Sequence, residues 1–268
     1  MKVDEFLSMH AVFTVEELDR FLSARGSGNP NTRRSLLTYY RKKGRVIPIR
    51  RGLYATVPVG DDPTSSPVDP YLVAAKLTPD AVLAYHSALE FHGKAYSVHS
   101  ILHYVSASKS VPLTFQGHEF IRATVPPALR TKGEEMFGIA RRNRSGVDMR
   151  VTSLERTLVD VLDRPDLSGS WEEIWRSLES IEFFDLDKVI TYVFLLENAT
   201  TAAKVGFFLD QHKEVLMLED GHLNPLRRLR PRHPHYFKRG KRDDCRWVRE
   251  WNLMIPEDIL NRSWEEVL

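Results

Sequence analysis

Apolar residues near the start of the chain recur at helical spacing. Leu18, Phe21 and Leu22 fall on one face of a helix, and Thr14 lies three residues before Glu17, the order of a capping box. The segment ARGSGNPN then interrupts the pattern with two glycines and a proline. The pattern therefore predicts a helix that begins after Thr14 and ends in a turn.

A second amphipathic helix is predicted after this turn, capped by Asn31 or Thr32 and ended by Gly44. Its apolar positions cluster on one face, which predicts that this face meets the core: Leu36, Leu37 and Tyr40. Arg33 lies near the apolar side and is a weaker candidate for an outward contact. The polar residues expected to face outward are Asn31, Arg34, Ser35, Thr38, Arg41 and Lys42.

Two short β-rich runs follow, RVIPI and LYATV, and the basic segment RRG separates them. β-Branched residues on both sides of a glycine-containing turn are typical of a β-hairpin. Pro48 cannot donate a ladder hydrogen bond, so its strand is expected at the edge of a sheet. Three basic residues of this hairpin are predicted to approach a nucleic acid: Arg45, Arg50 and Arg51.

A helix, a turn, a helix with a basic polar face and a hairpin follow the order of a winged helix-turn-helix, whose second helix enters the major groove. Hydroxyl and amide side chains can read base edges, while Lys and Arg neutralise phosphates. The hairpin tip would reach the backbone or the minor groove. The alternative is a small helical subdomain with a solvated basic face. The pattern, the charge and the hairpin agree, which favours DNA binding.

The segment 57–70 contains four prolines and few large apolar residues, which is typical of a linker. We therefore expect a winged helix-turn-helix domain at 1–59 and a larger mixed α/β domain at 60–268, with a further boundary near residue 165. Helical patterns and β-branched runs alternate in the larger part, so the fold class predicted is α+β. The basic tail after residue 223 is interpreted as irregular, ending in a strand-like piece.

Serine and threonine residues mark further helix starts in the larger part. Thr152 and Ser153 precede a helix predicted to run through Leu162, and Ser170 with Glu173 has the order of another capping box. Residues 185–216 are predicted to form two more helices.

Charge is distributed unevenly along the 268 residues, although the formal net charge is only +2. Residues 1–57 carry eleven basic and five acidic side chains, and the stretch 31–58 holds eight basic residues and no acidic one. Residues 58–221 are acidic, with 16 basic and 24 acidic side chains, and residues 222–250 are basic, with ten against three. This distribution is expected for a nucleic-acid module joined to a domain of another kind.

Several classes of protein are disfavoured by composition. No stretch approaches the roughly 18 apolar residues of a membrane span, and MKVDEFLSMH carries acids where a signal peptide would carry basic and apolar residues. The single Cys245 excludes an intrachain disulfide framework and disfavours a thiolate zinc site. A cytoplasmic location is the expectation.

The tail offers a second basic surface, interleaved with aromatic residues. Its members are Arg227, Arg228, Arg230, Arg232, Lys238, Arg239, Lys241 and Arg242. Two interpretations stay open: the surface binds nucleic acid or an acidic partner, or it neutralises the acidic middle of the same chain.

The clearest enzymatic pattern is Gly169-Ser170 followed by Asp185 and Asp187, since nucleotidyltransferases hold phosphate with a Gly-Ser turn and metal ions with an Asp pair. Ser170 is better explained as a helix cap, and acidic residues are ordinary in a first helical turn. The ten histidines show no convincing metal-site spacing; His86 and His92 are interpreted as packing or capping residues, and His235 as a loop residue that could touch phosphate. We expect no enzymatic activity, no metal and no cofactor.

The winged helix with RRGLYATVP, then AYHSALEFHG, then VTSLERTLVDVLDRP and a helical half ending in CRWVREWNLMIP resembles the AbiEi family of bacterial antitoxins. The resemblance spans most of the chain and is strongest over residues 13–163. It implies a winged helix that binds inverted repeats in the protein's own promoter and represses a type IV toxin–antitoxin operon of the abortive-infection kind. It also implies a C-terminal domain that counteracts a nucleotidyltransferase toxin without a stable complex.

Two alternatives stay open. One is a plain winged-helix transcriptional regulator whose C-terminal domain senses a ligand or forms dimers. The other is a nuclease or nucleotidyltransferase with a DNA-targeting arm.

Overall fold

The computed structural model describes residues 2–238 and 244–264. The chain divides into two compact units that interleave along the sequence. The first comprises Met1–Leu83, Ser100–Ala123 and Arg141–Arg150, and the second comprises Ala84–His99, Thr124–Ala140 and Val151–Leu268. Mixed helices and sheets confirm the predicted α+β class.

A winged helix opens the first unit. Its elements are α1 (Lys2–Met9), β1 (Val12–Thr14), α2 (Val15–Ser23), α3 (Pro30–Lys42), β2 (Val46–Arg50) and β3 (Leu53–Thr56). The strands form a sheet of order β1-β3-β2, both pairs antiparallel, so β2 is an edge strand as Pro48 predicts. The capping box of α2 is present. Thr14 Oγ1 accepts a hydrogen bond from Glu17 N, and the Glu17 carboxylate accepts one from Thr14 N.

The structure corrects three expectations in this region. The helix α1 and the strand β1 were not predicted, and β1 makes the wing sheet three-stranded. The strand β1 is too short to show a period, whereas Val3, Phe6 and Leu7 recur at helical spacing in α1. Phe6 and Phe13 are buried in the core of this winged helix. The cap of α3 is neither Asn31 nor Thr32 but Asn29, whose side chain accepts from Asn31 N at 2.8 Å. Pro30 occupies the first helical position, which suits a residue without an N–H.

The remainder of the first unit contains α4 (Pro70–Lys76) and most of a six-stranded sheet. Its strands are β4 (Val82–Leu83), β5 (Ile101–Val105), β6 (Leu113–Phe115), β7 (His118–Ala123), β8 (Ile139–Arg144) and β9 (Val147–Thr152). They follow the order β6-β7-β5-β4-β9-β8, with β5 and β7 parallel.

The second unit is mainly helical. Its longer elements are α7 (Leu154–Asp163), α8 (Trp171–Glu179), α9 (Leu186–Leu196), α10 (Ala199–Gln211) and α11 (Asp220–Leu229). Short pieces complete it: α5 (His86–Phe91), α6 (Pro127–Lys132), a 3₁₀ turn (Pro165–Leu167), β10 (His235–Tyr236), β11 (Cys245–Val248), β12 (Leu253–Pro256) and α12 (Glu257–Leu260). In the described part of the chain, no helix is both long and apolar enough to cross a bilayer.

Local signals predicted the helix starts of this unit more accurately than its tail. Ser153 and Ser170 each cap a helix through the side-chain oxygen, as expected. The tail is not irregular throughout, because α11 extends through Leu229 even though Pro225 lies inside it. Burial of Leu223 and Leu226 stabilises a helix that proline alone would disfavour.

Candidate nucleic-acid interface

The apolar face of helix α3 packs against the core of the winged helix. Tyr40 is buried in the core of the winged helix, and Leu36 and Leu37 pack against that core. The Tyr40 hydroxyl donates a hydrogen bond to Asp4 of α1 at 3.0 Å. Burial and the Asp4 carboxylate both raise the pKa of Tyr40, so the phenol stays protonated and remains a donor. The core face of α3 is therefore the predicted one, and the opposite face is free to meet a partner.

The six polar residues predicted on the outer face of α3 are all solvent-exposed: Asn31, Arg34, Ser35, Thr38, Arg41 and Lys42. Arg33, the weaker candidate, is half-buried and forms an ion pair with Asp19 of α2. The outer face thus presents three cations, two hydroxyls and one amide on a single helix. This set can donate to phosphates and to base edges.

The wing turns at Gly52, whose φ of 83° lies in the left-handed region that favours glycine. Arg51, immediately before it, is exposed at the tip of the hairpin. This is the position from which a wing contacts a phosphate backbone or a minor groove.

Two of the predicted wing contacts, Arg45 and Arg50, also donate hydrogen bonds within the protein. Arg50 Nη1 donates to Ser110 Oγ at 3.2 Å, and its Nη2 donates to the Leu77 carbonyl. Arg45 Nε donates to the Val57 carbonyl at 3.0 Å. Arg50 is the last residue of β2 and does not belong to the turn. The carbonyl acceptors, Leu77 and Val57, lie outside the hairpin, so the hairpin sequence alone does not indicate these hydrogen bonds. In these bonds Arg50 uses both of its Nη atoms, whereas Arg45 uses its Nε.

Three exposed residues on or beside α3 were not among the predicted contacts, namely Thr32, Tyr39 and Lys43. Thr32 lies in its first turn, and Tyr39 is 53% exposed with the Lys43 ammonium 5.6 Å from its ring centroid. The signal for Tyr39 was available, because neighbouring tyrosines on a helix cannot both face the core.

The second basic surface is partly neutralised. Arg227 lies 2.6 Å from Glu250 and 3.7 Å from Asp220, and Arg230 donates to the Glu250 carbonyl. The exposed members are Arg228, Arg232 and Lys238, whereas Arg239, Lys241 and Arg242 lie outside the described residues. Since Asp220 belongs to the acidic middle of the chain, Arg227 fits the interpretation of internal neutralisation.

The Asp pair of the nucleotidyltransferase-like pattern lies at the start of α9. Asp185 caps this helix by accepting from Lys188 N at 3.2 Å, and its carboxylate pairs with the Lys188 ammonium at 2.7 Å. Asp185 is thus the N-cap of α9, and Asp187 is the acidic residue of its first turn.

The fold brings together three titratable side chains that are distant in sequence. Potential ligand atoms of His86, His99 and Glu173 lie within 4.8 Å of one another. The two imidazole rings are stacked, with centroids 3.7 Å apart and an angle of 7° between the planes. Imidazole lone pairs lie in the ring plane, so stacked rings do not direct them at one ion.

Hydrogen bonds explain this cluster as a buried polar network. The Glu173 carboxylate accepts from His86 Nε2 at 3.0 Å, from Ser97 N at 3.0 Å and from Ser97 Oγ at 2.6 Å. Burial alone would raise the pKa of Glu173, but these bonds outweigh it and lower the pKa. Because its carboxylate is used here, Glu173 does not complete the capping box expected with Ser170.

Residues 1–57 match the family model described as "Transcriptional regulator, AbiEi antitoxin". This match confirms the resemblance to AbiEi antitoxins over the winged helix. No curated protein sequence matches the chain.

Three solved chains match at the level of structure. One is the crystal structure of the RV2827C protein from Mycobacterium tuberculosis, with a TM-score of 0.60 and 19% sequence identity. The match covers 99% of this chain and 94% of that one, so the two share a fold over nearly their whole length. At this identity the similarity concerns the fold alone.

Proposed function

We propose that this protein is a cytoplasmic DNA-binding antitoxin that represses its own type IV toxin–antitoxin operon. One observation carries the proposal: the outer face of α3 exposes Arg34, Arg41 and Lys42 beside hydroxyl and amide groups, within a winged helix that matches an AbiEi regulator. Inserted in a major groove, α3 would read base edges, and the cations would bind phosphates. Repression would follow from occlusion of the promoter.

The remainder of the proposal concerns the toxin. The protein would counteract a nucleotidyltransferase toxin through its C-terminal part, without forming a stable complex and without catalysis. The support is the family of the winged helix, and the expected operator is a pair of inverted repeats.

The first experiment measures binding of the full chain to its own upstream DNA and to scrambled DNA at two salt concentrations. Specific retention that weakens with salt supports repression, because each phosphate contact released by salt costs affinity. Equal affinity for both DNAs, or no retention at low salt, would overturn the proposal.

The second experiment expresses the adjacent gene with and without this chain. Growth arrest that the chain relieves supports the antitoxin role. Absence of a toxic nucleotidyltransferase beside the gene would leave the plain regulator as the function.

A further inference from the structure

The second unit contains a pocket of about 1050 Å³ that the proposed function does not use. This volume is at the upper end of the range for small-molecule sites. Its walls come from three separate parts of the chain: 163–171 around the start of α8, 198–204 at the start of α10, and 235–238. The fold thus places Gly169, Ser170, His235 and Lys238 around one pocket. From the sequence, each of these segments was considered separately as a possible contact to phosphate or nucleic acid.

One wall of the pocket is rich in donors. Lys204 of α10 is 7% exposed and donates from Nζ to the Leu162 carbonyl at 3.1 Å, while its side chain lines the pocket. Thr200 Oγ1 lies 2.7 Å from His235 Nδ1, so a hydroxyl and an imidazole face the same space. A lysine ammonium beside hydroxyl groups is a typical phosphate-binding set.

The charges in the pocket favour an anion. Three permanent cations line it, Arg164, Lys204 and Lys238, against two carboxylates. One carboxylate, Asp166, pairs with Arg164 at 2.8 Å. The other, Asp163, accepts from Asn198 Nδ2 at 3.1 Å and from the Thr201 hydroxyl. These carboxylates are therefore already used by neighbouring donors, and the lining has a net positive charge.

The pocket also has an aromatic wall. Trp171 and Phe237 are tilted rings with centroids 4.5 Å apart, and the Lys204 ammonium lies 5.5 Å and 5.4 Å from their respective centroids. Tyr236, next along β10, is 41% exposed and lines the same space. An exposed ring beside a cationic wall suits a ligand with a flat base and a charged group.

From this combination we propose that the pocket binds a nucleotide, with its phosphates toward Lys204 and Thr200 and its base against Tyr236. The net positive lining matches the phosphates of such a ligand, and the aromatic wall matches its base. The volume of the pocket is large enough for both. The Asp185 and Asp187 pair is not part of the lining, so the proposal is binding without phosphoryl or nucleotidyl transfer. It is independent of DNA binding by the winged helix.

The test is isothermal titration of the full chain with the four ribonucleoside triphosphates, the matching nucleosides and inorganic triphosphate. We expect one nucleotide to bind with 1:1 stoichiometry and to raise the unfolding temperature. The nucleoside should bind at least about tenfold more weakly, since it lacks the charge that Lys204 meets. Inorganic triphosphate should also bind more weakly, since it lacks the base.

Matched variants locate the site. Lys204→Met should weaken nucleotide binding by about tenfold or more, whereas Lys188→Met, which removes an exposed lysine of α9 outside the lining, should leave it unchanged. If Lys204→Met unfolds, the exposed Tyr236→Ala provides the second variant. It should weaken binding of the nucleotide and leave that of inorganic triphosphate unchanged.

Three results would overturn the proposal: no binding of any nucleotide at about 1 mM, equal affinity for nucleotide and nucleoside, or equal affinity for nucleotide and inorganic triphosphate. DNA binding measured on the same preparations separates this outcome from the proposed function, because the winged helix lies in the other unit.

Discussion

Arg34 and Lys42 are both exposed on the outer face of α3, but their side chains differ in what they can recognise. The planar guanidinium of Arg34 can bind a guanine edge through two parallel hydrogen bonds, whereas the Lys42 ammonium acts as a point charge. Arg34 lies toward the N-terminal half of α3, the part that contacts bases in a recognition helix, and Lys42 is its last residue. The two residues are therefore expected to contribute differently to DNA binding.

Substitution of each residue by alanine tests that difference. Arg34→Ala should cost about 1–3 kcal/mol on the operator and relax specificity, because base contacts specify. Lys42→Ala should weaken binding to all DNA sequences alike and reduce the slope of log affinity against log salt concentration by roughly one. Fluorescence anisotropy on operator and random DNA across a salt series measures both, and equal losses on both DNAs for both variants would contradict the assignment.

A buried ion pair lies in the core of the second unit. Arg156 is 1% exposed and donates to the Glu135 and Phe137 carbonyls at 2.9 and 2.6 Å and to Asp160 at 3.4 Å. The Tyr192 hydroxyl donates to the other oxygen of Asp160 at 2.6 Å. The members of this network depend on one another, so removal of one of them leaves its partners with fewer hydrogen bonds.

The substitution Arg156→Leu should lower the free energy of unfolding by about 3–5 kcal/mol, because it leaves the Asp160 carboxylate buried without its cation. The double variant Arg156→Leu with Asp160→Leu should lose less than the single one. Urea unfolding followed by circular dichroism measures both. A double variant that is less stable than the single one would argue against an electrostatic cause.

Among the elements, hydrogen bonds to a loop side chain connect the ends of neighbouring strands. Asp80, between α4 and β4, accepts from Ser106 Oγ at 2.7 Å and from Ala107 N at 2.6 Å after the end of β5. Burial alone would raise the pKa of Asp80, but these bonds and those from Ser108 outweigh it, so the pKa lies well below its ordinary value. The carboxylate form therefore stabilises the folded state.

The pH dependence follows from that sign. A lowered folded pKa contributes stability above the unfolded pKa of about 4, and this contribution is lost as the pH falls through the folded pKa. Asp80→Asn should therefore be less stable than the parent at pH 7 and lose less stability on acidification. Urea midpoints at neutral and acidic pH measure the difference, and parallel curves for the two proteins would contradict it.

For the whole molecule, the winged helix and the Asp pair belong to different units. The residues of α3 and the wing lie in Met1–Leu83, whereas Asp185 and Asp187 lie in Val151–Leu268. Asp185 caps α9 through its side chain.

The double variant Asp185→Ala with Asp187→Ala should keep its affinity for operator DNA and its repression, at the cost of a small loss of stability from the missing cap. Binding assays on a folded sample and a promoter–reporter assay measure this. If either antitoxin activity or repression disappeared while the protein stayed folded, the enzymatic alternative would gain its first support.

Local signals were sufficient for the order of elements from α2 to β3. Thr14 and Glu17 cap α2, Gly44 follows the end of α3, and the RRG turn separates β2 from β3, because each of these features acts over a few residues. The exposure of the outer face of α3 also follows from a local feature, the helical spacing of its polar and apolar residues. The sequence by itself therefore determined the element order and the outward polar face from α2 to β3.

Which polar groups find partners depends on contacts between distant parts of the chain. Arg50 donates to Leu77 and Ser110, and Glu173 turns from its own helix cap toward His86, contacts between residues 27 to 87 positions apart. The nucleotide-sized pocket is assembled in the same way from three distant stretches. Such pairings depend on how buried groups compete for hydrogen bonds in the folded chain, and no local period records that competition.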